Sequence, residues 1–321
     1  MIVTVTLNPC VDHTLTIEDL KPNDTNRVRN VQIDAGGKGI KASRVITGLG
    51  GETVATGFLG GNTGAFVRHV LDRESVKHDF TAITGATRVN FEIEDYSGHP
   101  PTCFNEPGPS ITVKETHRLV AKVRHHLKQA SWFLAAGSKP PGLDPEFFSV
   151  LGTLARQRSI PFAVDADGDD LRRALMAGPA LIKPNVYEAS RLLGRSLETT
   201  SEILDAALEI REQVLSYHPA IPPIVIISCG GDGAVLADED GLWLGTPASI
   251  EVVCTVGSGD SMMAAMLTAL DQGLSKRDAF RLGLAAGAAT AQLSGGNVAN
   301  RAQTEALLPK VRVEHAGVLH A

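Results

Sequence analysis

No two of the four cysteines stand close together: Cys10, Cys103, Cys229 and Cys254 form no C-x-x-C pair. A zinc site or redox motif of that spacing is therefore excluded. Four scattered thiols in 321 residues fit a reducing cytosol better than a disulfide scaffold. A basic excess is also missing, with 30 Lys and Arg against 36 Asp and Glu, a formal net charge of −6. Neutralising a phosphate backbone needs clustered cations, so a general nucleic-acid binder is excluded. A small anionic ligand is not, because it needs only a local positive pocket. The longest mostly apolar stretch, residues 282–293, is too short and too rich in Gly and Ala to span a bilayer. Residues 1–9 have no basic n-region before their apolar residues and read as a first strand rather than a signal peptide. The expectation is a cytoplasmic protein with neither a membrane nor a nucleic acid as partner. Ten histidines contain no H-E-x-x-H, and His117, His125 and His126 share a predicted helix without an i, i+4 pair. A G-x-S-x-G elbow is absent too, which leaves a serine hydrolase unsupported.

What the chain does contain is enough apolar material for a core, 43% hydrophobic against 21% charged. Residues 54–58, 133–136, 161–165, 180–183 and 224–228 read as buried strands. Between them, residues 113–129, 145–157, 201–216 and 260–272 carry helical periodicity. Sustained alternation of this kind predicts βαβ units, a mainly parallel sheet and helices on both faces. Ligands then bind beyond the carboxyl ends of the strands, on a rim after Leu134, Asp165, Lys183 and Ser228. Residues 14–33 and 88–104 break the rhythm: both are β-rich and alternate polar with apolar side chains. They predict a small antiparallel sheet serving as a lid or association surface. No linker divides the chain, so one domain over residues 1–321 is expected.

Three glycine-rich turns carry the chemistry. Gly257-Ser258-Gly259-Asp260 closes a strand and opens a long helix. Such a helix end offers free N–H groups and a partial positive charge to an anion, although Asp260 at that spot can equally be an N-cap. Ser228-Cys229-Gly230-Gly231-Asp232-Gly233 follows a buried strand and reads as a tight turn or as a ligand cradle. Lys183-Pro184-Asn185 leads into a short helix, where Asn185 and Glu188 suit a capping box. The early run Gly36-Gly37-Lys38-Gly39 lacks the downstream acid of a dinucleotide fingerprint. It also lacks the Ser or Thr of a Walker A loop, which disfavours a dehydrogenase or a P-loop ATPase.

Taken in order, Ala35-Gly36-Gly37-Lys38-Gly39 and Thr255-Val256-Gly257-Ser258-Gly259-Asp260-Ser261 resemble the two signatures of the PfkB (ribokinase-like) carbohydrate kinases. Thr6-Leu7-Asn8-Pro9-Cys10-Val11-Asp12, Gly57-Phe58-Leu59-Gly60-Gly61, Thr87-Arg88-Val89-Asn90, Gly137-Ser138-Lys139-Pro140-Pro141-Gly142 and Lys183-Pro184-Asn185 are similar to its phosphosugar branch. The resemblance implies an α/β/α sandwich with a mainly parallel sheet and a small β-sheet lid. It implies ATP and Mg²⁺ as cofactors, leaves a monovalent cation open, and makes a sugar phosphate the acceptor. Fructose 1-phosphate is expected first and tagatose 6-phosphate next. Fructose 6-phosphate, an unphosphorylated sugar and a sensor without catalysis stand further off.

By the same resemblance Asp260 is the base, and the N–H groups around Gly257, Ser258 and Gly259 form an anion hole. Asp12, Gly37 and Ser138 contact the sugar, while Arg88, Arg27, Lys38 and Lys41 face its phosphate. Lys183, Asn185, Ser228, Gly230, Gly233, Thr255 and Val256 line the nucleotide site, with Asn185 and Glu188 holding Mg²⁺ through water. Lys41 stands where the branch usually has Asn. A homodimer built through the lid strands is expected, since exposed strand edges must be covered.

Overall fold

The computed structural model describes residues 1–95 and 101–317. Its strands are β1 (Ile2–Thr6), β2 (Cys10–Ile17), β3 (Asn30–Gly36), β4 (Thr53–Leu59), β5 (Thr81–Ala82), β6 (Arg88–Asp95) and β7 (Thr102–Asn105). Then come β8 (Trp132–Ala136), β9 (Phe162–Asp165), β10 (Leu181–Ile182), β11 (Ile224–Ser228), β12 (Ala234–Ala237), β13 (Leu242–Thr246) and β14 (Arg312–Gly317). The first helices are α1 (Lys38–Gly48), α2 (Gly61–Arg73), α3 (Val113–His126), α4 (Phe147–Arg156) and α5 (Gly168–Leu175). They are followed by α6 (Val186–Leu193), α7 (Thr200–Tyr217), α8 (Ser258–Asp271), α9 (Lys276–Ala291) and α10 (Arg301–Leu307).

Strands covered on both faces must be apolar throughout, and β1 and β4 are buried at every position. Ten strands form the main sheet in the order β14-β13-β12-β11-β10-β9-β8-β1-β4-β5. From β11 to β5 the neighbours run parallel, and β12 to β14 add an antiparallel edge. The two-residue side-chain period sorts the layers. Val3 and Val5 join the core formed with α3 to α7, whereas Ile2, Leu134 and Ala136 join the core under α1, α8, α9 and α10. Thr112–Glu115 and Thr199–Glu202 capping boxes fix where α3 and α7 begin. Thr6, Ala136 and Asp165 stand side by side in register, so the carboxyl ends of β1, β8 and β9 share one rim.

The small sheet has the order β3-β2-β6-β7. It was expected to be antiparallel; its central pair, β2 with β6, is parallel. Cys10 pairs with Arg88 at the start of both strands, so each leaves the same rim in the same direction. Within the expected lid stretches, residues 14–17, 30–33, 88–95 and 102–104 are strand, the strands running on to residues 10, 36 and 105, while residues 96–100 lie outside the described residues. Gln32 and Gly296 tie this sheet down: the Gln32 Nε2 donates to the Ser294 carbonyl and the Gly296 N–H to Asp34.

Candidate active site

The rim holds two adjoining cavities of about 1010 Å³ and about 600 Å³. Lys38, Glu188 and Asp260 line both of them. The first is roofed by the small sheet and also lined by Asp12, Gly37, Lys41, Arg88, Ser138 and Val256. Lys183, Asn185, Ser228, Gly230, Gly233, Thr255 and Gly257 to Gly259 line the second.

Asp260 owes its place to the turn before α8. Gly257 adopts the left-handed conformation (φ 82°), which favours glycine, and is the N-cap. Asp260 therefore sits in the first helical turn and is not the cap, which removes the capping explanation of that carboxylate. The Ser261 N–H makes the first i−4 bond of α8, to the Gly257 carbonyl at 2.8 Å. The Ser258 N–H is spent on the Thr255 carbonyl at 3.2 Å, so it does not belong to the expected anion hole. Among the described residues the N–H groups of Gly257, Gly259 and Asp260 have no acceptor. A Cβ at Gly259 would stand 3.1 Å from the Lys183 ammonium, so glycine lets that cation approach the helix end.

Opposite charges converge here. Asp165, buried at the end of β9, accepts from Lys38 Nζ at 2.5 Å and pairs with Lys183 Nζ at 3.2 Å. Burial alone would raise the Asp165 carboxyl, but Lys183 and Lys38 outweigh it and hold it below the ordinary range. Lys38 also reaches Glu188 Oε1 at 3.4 Å. Half-buried Asp260 goes the other way. Burial first, and the Asp165 charge second, raise its carboxyl, while Lys38, Lys41 and Lys183 pull against them.

In the first cavity Asp12 is clamped from both sides. Its Oδ2 pairs with the Lys41 ammonium at 3.2 Å; its Oδ1 accepts from Asn90 at 3.1 Å and from the Cys10 thiol at 3.0 Å. Burial opposes ionisation of Asp12, and the Lys41 charge together with hydrogen bonds from Cys10, Lys41 and Asn90 outweighs it, holding the carboxyl below its ordinary value. Arg88 lines this cavity, with donors on the Glu106 carbonyl at 2.7 Å and the Asn8 carbonyl at 3.2 Å. Ser138 accepts from the Asn8 side chain at 3.2 Å. Lys139, paired with Asp170 at 2.9 Å, is a further cation on the wall.

Two expected positions differ. Arg27 is exposed on the connection between β2 and β3 and lines neither cavity, because that connection runs away from the rim. Val256 lines the first cavity and not the second, whereas its neighbours Thr255 and Gly257 line the second. The Asn185–Glu188 capping box is present, with Glu188 Oε2 accepting from the Asn185 N–H at 2.9 Å. Glu188 Oε1 still faces the cavities. Gly233 (φ +100°) is required by packing, since a Cβ there would collide with the Gly245 carbonyl. Beside Gly230 and Gly231 there is open space, as a cradle needs. Asp165 is the site residue that motif reading passed over; its only signal is a charge closing a buried strand at the rim.

A family model described as "pfkB family carbohydrate kinase" matches residues 5–303. A 1-phosphofructokinase of Borreliella burgdorferi is 32% identical over 315 residues, covering 98% of each chain. The structure of phosphofructokinase-2 from Escherichia coli with substrates and products superposes with a TM-score of 0.87 at 30% identity, covering 96% of this chain and 98% of that one. Arabidopsis thaliana ribokinase, with ribose and ATP, shares the fold at a TM-score of 0.75 and 22% identity, covering 96% of this chain and 98% of that one. A mainly parallel sheet between two helical layers, with a small β lid, is thus a ribokinase-like fold.

Proposed function

Because this chain belongs to the pfkB family of carbohydrate kinases, we propose that it moves the γ-phosphoryl group of ATP onto a hydroxyl of a ketohexose phosphate, fructose 1-phosphate before others. The observation that carries this reading is Asp260 on the partition between two cavities. Donor and acceptor can then meet at one carboxylate without sharing a pocket.

The second cavity suits a nucleotide. Ile250, Leu284, Ala288 and Ala291 give it apolar wall for a base, and Lys183 with the α8 N-terminus gives it positive potential for phosphates. The first suits an anionic sugar, because Lys38, Lys41, Arg88 and Lys139 all line it. In the reaction the acceptor O–H gives its proton to Asp260 and its oxygen bonds to the γ-phosphorus. The bond from that phosphorus to the β,γ-bridging oxygen breaks, and ADP leaves with the electron pair. Phosphoryl transfer asks mainly for positioning and charge. Lys38 and Lys183 flank the path, and the free N–H groups of Gly257, Gly259 and Asp260 face the moving group.

Mg²⁺ would accompany the nucleotide and neutralise phosphate charge. Glu188 Oε1, which also accepts from Lys38, faces the cavities and would hold a hard cation through water, with Asn185 Oδ1, bonded once in the capping box, beside it. A cytoplasmic setting accords with four free thiols and with the need for ATP. Among the described residues no helix is long and apolar enough to cross a membrane.

A homodimer through the lid is supported by the sheet's outer face. Ile33, His13, Phe91 and Phe104 stand in one row across β3, β2, β6 and β7, and the three apolar members are exposed. Contiguous apolar surface of this kind marks an interface.

A coupled ADP-release assay tests the reading, with fructose 1-phosphate, tagatose 6-phosphate, fructose 6-phosphate and free fructose as acceptors, each in KCl and in NaCl. Fructose 1-phosphate should give the highest kcat/KM. A preference for free fructose would overturn the sugar-phosphate assignment, and turnover with none of them would overturn the kinase reaction on ketohexoses.

A further inference from the structure

Under the lid, beyond the clamp on Asp12, the small sheet carries acidic groups that stand outside the ion pairs of the described residues. Gln32, Thr14, Glu92 and Cys103 stand in register across β3, β2, β6 and β7, so their side chains project from one face. Glu94 follows two residues on and shares that face. Buried Cys254, in the segment that leads into the Gly257 turn, donates its thiol to Glu92 Oε1 at 3.9 Å. The ligand atoms of Glu92, Glu94 and Cys254 all lie within 4.8 Å of one another. Neither glutamate has an ion-pair partner among the described residues, and Lys41, whose charge reaches Glu92, is committed to Asp12 at 3.2 Å.

A second observation is independent of these three. Thr14, 3% exposed, has a buried hydroxyl with no hydrogen-bond partner. It neighbours Glu92 in the ladder and shares the face from which both glutamates project. Buried hydroxyls are ordinarily bonded, so this one is a polar group waiting on that face for a partner.

We propose that Glu92, Glu94 and Cys254 form a binding site for a divalent cation of the Zn²⁺ class. Two carboxylates and a thiolate are a mixed oxygen and sulfur set, which suits zinc and not the hard cations Mg²⁺ or Ca²⁺. Three protein ligands leave a fourth tetrahedral position for water, and the Thr14 hydroxyl is the group beside Glu92 able to bond that water. On binding, the Cys254 thiol loses its proton to solvent as the Zn–S bond forms, and nothing is oxidised or reduced. The bound ion would tie lid strand β6 to the segment entering α8. Glu92 and Val256 both line the first cavity, so this tie would hold the lid down over the acceptor.

The probe is Zn²⁺ alone, titrated by calorimetry into the full chain in excess Mg²⁺, which fills hard-oxygen sites. No nucleotide or sugar is present, so the outcome is separate from the kinase assignment. One Zn²⁺ per chain is expected, bound at least about tenfold more weakly by Glu94→Gln and by Cys254→Ser, and equally well by Cys229→Ser. Amide exchange in β6 should slow on Zn²⁺ addition in the wild type and not in Glu94→Gln. Glu94 lines neither cavity, so turnover of Glu94→Gln without zinc should match the wild type. Absence of binding overturns the proposal, as does binding that Glu94→Gln leaves intact or that Cys229→Ser removes. If Cys254→Ser fails to fold, Glu94→Gln on the partly exposed strand decides the matter by itself.

Discussion

Lys38 Nζ lies 2.5 Å from Asp165 Oδ1, on the partition that the two cavities share. With Lys183 on the other carboxylate oxygen at 3.2 Å, one buried acid holds two ammonium groups beside Asp260. Asp165 thus does two opposed things. Its charge fixes the cations that a moving phosphoryl group needs, and the same charge makes Asp260 harder to ionise.

That opposition predicts a pH profile. Asp260 must be ionised to accept a proton, and its carboxyl is raised by burial and by Asp165, so activity should fall on the acid side at a pH above the ordinary carboxylate range. Lys38 holds Asp260 down, so Lys38→Met should move the acid limb of kcat/KM to higher pH. Asp165→Asn removes a negative neighbour and should move it to lower pH. Shifts in the same direction would show that the limb does not report Asp260.

Asp260→Asn tests the base directly. Replacing a positioned general base costs about 10²–10⁴-fold in kcat. Nucleotide binding, followed by calorimetry, should survive, because the amide keeps the helix turn and leaves Lys183 and the Gly230 cradle of the second cavity unchanged. Turnover close to wild type would remove Asp260 from the reaction.

Arg88 separates the two cavities kinetically. It lines the first and not the second, and its donors already brace the Asn8 and Glu106 carbonyls. Arg88→Ala should raise the KM for the sugar phosphate by roughly tenfold to a hundredfold, the range of one charge-assisted contact. The KM for ATP should barely move. Equal increases in both would mean that Arg88 only supports the loop.

Much of this was legible in the sequence, for identifiable reasons. Apolar runs such as Ile224–Ser228 announce buried strands wherever they fall, and the glycine turn before Asp260 announces a helix end open to an anion. The pairing direction of β2 and β6 was not legible, because it depends on both strands leaving one rim and not on their own residues. Nor was the double duty of Glu188, whose two oxygens face a cap and a cavity at once. Asp165 escaped because no motif surrounds it: its importance comes from Lys38 and Lys183, 127 residues away in one case. The clamp on Asp12 joins Cys10, Lys41 and Asn90 across three elements, a relation that only folding creates.

The outer face of the lid predicts the assembly. Phe104 is 56% exposed, Val31 49% and Ile33 45%, on the face opposite Asp12 and Glu92. Large apolar side chains that become buried contribute about 1.5–3 kcal/mol each, and a two-fold interface counts every one twice. Phe104→Asp sets two like charges near the axis and removes two such contributions. Sedimentation velocity at micromolar concentration should show a dimer for the wild type and at least a tenfold weaker dimer for Phe104→Asp. A wild-type monomer under those conditions would leave the lid face without its partner copy, and so would an undisturbed dimer in the variant.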